Sequence, residues 1–164
     1  MKAIGTIIEK LTDITRYIAL IAMACMMGFI TFAVVSRLFG SPILGDIELV
    51  QVGMVVLIMC GLPYTQQAGG HISIGLIVDK FSSKLQKVID IISELLTAVV
   101  TLIIAFIYVE VMLNHKNHMK LSTNLLDIPY YLVDFVIILG FTMRGLQALL
   151  KMARRFMSDS KSVV

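Results

Sequence analysis

YIALIAMACMMGFITFAVVS, residues 17–36, contains no Asp, Glu, His, Lys or Arg and is bracketed by Arg16 and Arg37. A helix rising about 1.5 Å per residue needs roughly 20 residues to cross a hydrocarbon core of about 30 Å. This stretch meets that length, and three more follow it. A second apolar run extends from Glu48 to about Thr65. A third lies between Glu94 and Glu110 within the longer segment 88–113, and a fourth runs from Pro129 to about Leu150. The expected fold is an all-α integral membrane protein, a single compact domain over residues 1–164, with spans near 17–36, 47–66, 88–113 and 129–150.

Composition supports a lipid environment. Apolar residues make up 58% of the chain and charged residues 15%, against roughly 45–50% and 25% in soluble domains. The net charge of +3 comes from residues beside the spans that form no continuous patch, so it reads as membrane topology and points to no nucleic-acid partner. Of the 14 Lys and Arg residues, Arg37, Lys116 and Lys120 lie in the first and third loops. The other eleven flank the termini and the middle loop, which places both termini in the cytoplasm by the positive-inside rule. Cys25 and Cys60 sit singly inside apolar runs and read as buried free thiols.

The leader, residues 1–16, is too long and too mixed in charge for a secretory signal and reads as part of a retained anchor. Ile4, Ile7, Ile8, Leu11 and Ile14 recur at helical spacing, which predicts an interfacial helix that turns into the first span. Residues 73–87 form a second amphipathic surface segment, with Lys80, Phe81, Lys84 and Lys87 at the lipid interface. In span two, Pro63 predicts a kink or an end. In span three, Asp90, Glu94, Thr97, Thr101, Ala105 and Tyr108 fall on one stripe, a packing face that points to protein and away from lipid. Small residues at Ala24, Gly28, Gly53 and Gly61 could admit a neighbouring helix. Asp127 is a candidate cap for span four.

Chemistry is sparse. Glu94, Glu110 and Asp134 lie near span ends, where reaching the interface or capping explains them. His71, His115 and His118 fall in loops, which disfavours haem, and the pair His115/His118 supplies too few ligands for a structural metal. No H-E-x-x-H, G-x-S-x-G or phosphate-binding glycine loop occurs, so no catalytic, cofactor or metal site is expected. The one charged cluster is Arg37, Asp46 and Glu48 around the turn Gly40-Ser41-Pro42. It could fix the first hairpin or dock a partner.

RLFG (37–40), the acidic helix start at Glu48, Gly61, GGHISIGLIVDKF (69–81) and LDIPYY (126–131) occur in this order across four spans. In this the chain resembles the small membrane subunit of tripartite ATP-independent periplasmic (TRAP) transporters. It departs from many relatives in lacking a Trp before the acidic start of span two; Asp46-Ile47-Glu48 stands there. The resemblance implies an accessory scaffold in the bacterial inner membrane, packed against a large multi-span carrier that holds the sodium and substrate sites. A periplasmic binding protein would deliver the substrate, an organic acid. It further implies that Arg37 and Glu48 shape the outer hairpin, and that His71 and Asp79 organise the cytoplasmic return into the surface helix. A small self-sufficient four-helix exporter is the main rival, but such exporters rely on an acidic residue in the first span, and residues 17–36 have none. A membrane anchor or assembly subunit of another complex is the third possibility.

Overall fold

The computed structural model describes residues 2–68, 82–119 and 121–160. Four long helices dominate: α1 (Lys2–Leu38), α2 (Asp46–Gln67), α3 (Ser83–Asn114) and α4 (Tyr130–Ser160). Each is long and apolar enough to cross a membrane. The chain reverses through residues 39–45 and 115–129 at one end of the molecule, the hairpin end. The start of α1 and the end of α4 lie at the other, the terminal end. His71, Asp79, Lys80 and Phe81 fall outside the described residues, while Lys84 and Lys87 belong to the first turns of α3.

The helices do not close into a compact bundle. Extensive contacts run from α1 to α2, from α2 to α4 and from α4 to α3, so the spatial order is α1–α2–α4–α3. Two antiparallel hairpins thus meet along one seam, α2 against α4. Only 6% of the most apolar stretch of α1 is buried, compared with 28% for α4. Cys60 is buried but Cys25 is exposed on α1, contrary to the expectation of two buried thiols.

The seam has a local cause. Pro63 lies inside α2, which continues unbroken to Gln67, so it does not end the helix. Pro63 has no N–H to give to the carbonyl of Met59, four residues earlier. Gly140 of α4 faces that same carbonyl: a Cβ built there would lie 2.6 Å from Met59 O. Only a residue without a side chain allows the two backbones to come this close. Gly145, one and a half turns on, plays the same part toward α3, where an added Cβ would lie 2.9 Å from Leu102 and 3.2 Å from Thr101 Oγ1. By contrast Gly28 and Gly61 have nothing within 4 Å of the corresponding point.

No break in the helix separates the leader from the first span: α1 is one helix of 37 residues, about 55 Å long. The cause lies in α4, whose 31 residues also exceed the bilayer core and project at the same end. There Gln147 donates to Thr12 Oγ1 and to the carbonyl of Ile8, and Arg154 pairs with Glu9. Gly5, Thr12 and Thr15 form the buried side of the leader, while Ile7, Leu11 and Ile14 remain exposed.

Replacing Gly140 with Val should lower the thermal unfolding midpoint in detergent, an overpacking cost of about 1–3 kcal/mol. Gly28→Ala, in open space and with a gain in helix propensity, should leave the midpoint unchanged or raise it.

Candidate functional site: polar ties at both ends of the seam

At the hairpin end the three predicted charges divide into two jobs. Arg37 Nη2 lies 2.7 Å from Asp46 Oδ2, joining the end of α1 to the start of α2 as the short turn suggested. Asp46 Oδ1 also accepts the Ile47 N–H at 2.8 Å. Gly40 and Gly45 hold the reversal with φ of 77° and 81°. Gly45 could carry no side chain in any case, since Leu126 packs where its Cβ would be.

Glu48 does not join this pair. It reaches across the seam, and its carboxylate accepts the backbone N–H of Leu125 at 3.0 and 3.2 Å and that of Leu126 at 3.0 Å. The loop it holds is itself well formed. Thr123 N–H donates to Ile128 O at 2.9 Å, Ile128 N–H donates to Thr123 Oγ1 at 3.0 Å, and Tyr130 N–H donates to Leu121 O at 3.1 Å. Asp127 occupies its left-handed corner with φ 51° and accepts the Ser122 hydroxyl at 3.3 Å. It sits three residues before α4, at a turn, and not at the capping position expected of it. Below the loop, a five-residue π-helical turn, His115–Met119, brings His115 Nδ1 to 2.6 Å from Asp134 Oδ2. Asp134 is buried, so it does not reach the interface as its position near a span end suggested.

At the terminal end, Glu94 of α3 is buried. Its carboxylate accepts from Gln66 Nε2 of α2 and lies 3.1 Å from Lys151 Nζ of α4. Three helices therefore meet on one carboxylate, where reaching the interface or capping had been the expectation. The predicted stripe on α3 is covered by the chain itself: Glu94, Thr101 and Ala105 are buried, and Asp90, Thr97 and Tyr108 are half-buried. Thr101 donates internally to the carbonyls of Thr97 at 2.7 Å and Ala98 at 3.1 Å, which removes its hydroxyl from competition for lipid or partner. Glu110 stays exposed.

Sequence reasoning missed Gln66, Gln147, Lys151 and the backbone of Leu125 and Leu126. Gln66 and Gln147 carried a signal, as uncharged polar residues near the ends of apolar helices. Among the described residues no three His, Cys, Asp or Glu side chains converge as a metal site would require.

Replacing Glu48 with Ala leaves two loop amides without their acceptor. Charge-assisted hydrogen bonds contribute about 1.5–3 kcal/mol, so hydrogen exchange at Leu125 and Leu126 should accelerate about tenfold or more. Arg37→Gln should leave it unchanged. At the other end, Lys151→Met strands the buried Glu94 carboxylate and should lower the thermal midpoint. The double variant Glu94→Leu/Lys151→Met should recover much of that loss, because removing both charges also removes the desolvation penalty.

Residues 26–157 match the family described as tripartite ATP-independent periplasmic transporters, DctQ component. Comparison with individual curated proteins gives no match.

Proposed function

The chain belongs to the DctQ component family of TRAP transporters, and from that membership we propose that it is the scaffold against which a large carrier subunit packs. It is a non-enzymatic, multi-pass transporter subunit of the bacterial inner membrane. The observation that carries the scaffold reading is how its acidic groups are engaged. Glu94 holds Lys151 and Gln66, Asp134 holds His115, and Glu48 holds the loop at Leu125 and Leu126. These carboxylates join helices of the row to one another. A subunit that binds an anion or sodium within the membrane needs charged or polar groups directed at the ligand.

In this reading the carrier holds the substrate and sodium sites and takes up an organic acid delivered by a periplasmic binding protein. The terminal end faces the cytoplasm, supported by the eleven basic residues among 14 that flank the termini and the middle loop. The hairpin end then faces the periplasm, where Arg37, Asp46, Glu48 and the loop they adjoin stand in reach of the delivering protein. His71 and Asp79 organise the cytoplasmic return before α3, and Lys80, Phe81, Lys84 and Lys87 meet lipid.

A tagged copy purified in mild detergent from its native membrane should bring down one large multi-span protein in stoichiometric amount, identified by mass. Recovery of the chain alone, as a homodimer, would overturn the scaffold reading and favour a self-sufficient exporter.

A further inference from the structure

The outer surface of the α1–α2 hairpin carries two grooves, one near each end, and they differ in a way that bears on what fills them. The groove toward the terminal end has a volume of about 420 Å³ and is lined by Leu20, Met23, Leu57 and Gly61, with Arg16 and Tyr64 at its mouth. Gly61 leaves its floor open, since nothing approaches within 4 Å of where a Cβ would stand. Arg16 is the last charged residue before the 20 uncharged residues of the first span, so it marks the headgroup boundary of the bilayer.

The Arg16 guanidinium is held in place by aromatic faces, 4.8 Å from the Tyr17 ring centroid and 5.0 Å from that of Tyr64. Its Nε is buried without a hydrogen-bond partner. The side chain as a whole is 31% exposed, and its nearest carboxylate, Asp13, stands off at 3.8 Å on the side of the leader. The second groove, lined by Ile30, Val34 and Val50, also has an arginine at its mouth, but there Arg37 is joined to Asp46 at 2.7 Å. One groove therefore ends in a cation with its carboxylate at the limit of contact, and the other in a closed ion pair.

We infer that the groove beneath Arg16 is a binding site for an anionic phospholipid of the leaflet at the terminal end, with its phosphate on Arg16 and an acyl chain along Leu20, Met23, Leu57 and Gly61. The chemistry is complementary at both ends of the ligand. A guanidinium offers forked N–H donors that match phosphate oxygens, and the slot below it is apolar, opens to the bilayer and lies at acyl depth. A zwitterionic headgroup brings its own cation and gains less from Arg16. A transmembrane helix of a partner is the competing occupant; it would fill the slot but offers no anion at the level of Arg16.

The chain contains no Trp, so a single introduced indole reports unambiguously. Leu20→Trp places it in the groove beneath Arg16, and Ile30→Trp in the groove beneath the Arg37–Asp46 pair. The full chain is reconstituted in phosphatidylcholine vesicles containing a minor fraction of brominated phosphatidylglycerol, and quenching is measured for each. Enrichment of the brominated lipid at position 20 over position 30 is expected by up to about fivefold, the factor that one basic residue supports at an anionic surface. Arg16→Gln should abolish the difference and Arg16→Lys should keep part of it. Equal quenching at the two positions, or a difference that survives Arg16→Gln, would overturn the site. Equal enrichment of brominated phosphatidylcholine would overturn its preference for anionic lipid. The test uses this chain without a carrier, so its failure leaves the scaffold reading standing.

Discussion

The close approach of α2 and α4 at Met59 and Gly140 is the contact on which the rest of the architecture depends. Most of the contact between the α1–α2 and α3–α4 hairpins runs through this pair of helices, with α1 meeting α4 chiefly at the terminal end. Lipid tails are as apolar as the side chains they would replace, so burial of apolar surface gives two helices in a membrane little reason to associate. Association has to come from fit and from polar ties. Pro63 withholds its N–H from the Met59 carbonyl on one backbone, and Gly140 removes the obstruction on the other.

The polar ties then act where they are strongest for this geometry. Glu48 crosses the seam at the hairpin end, and Gln66, Glu94 and Lys151 cross it at the terminal end, with Gln147 and Thr12 adding the edge helix α1. Each tie lies near a membrane boundary, where carrying a charge costs less than at mid-bilayer. The middle of the seam is left to glycine packing. A row of helices fixed in this way presents broad apolar faces, the shape a flat supporting subunit needs.

The spans were legible because hydropathy and length are local properties. The Arg37–Asp46 pair was legible for the same reason, since a short turn brings the two residues together. Glu48 was only half legible: its position at the start of α2 marked it, but its acceptors are backbone amides at Leu125 and Leu126, and no side-chain pattern announces those. Glu94 and the stripe on α3 signalled packing, yet sequence spacing cannot say whether the cover is another subunit or the chain's own α4. The glycines make the point most directly. Gly28 and Gly61 look as fit for helix packing as Gly140, and only the fold shows which of them has a neighbour.

The central place of α4 also has a consequence for biosynthesis. It follows the other three helices in the chain and makes contacts with each of them. Until it arrives, α2 has no seam partner and Glu94 sits near the membrane boundary without Lys151. The earlier helices must therefore wait in the bilayer as loosely associated segments, and the finished fold appears only once α4 has been made. Quality-control proteases that sample unpaired polar groups in membranes would then see a truncated chain as unfinished, however many of its spans had already inserted.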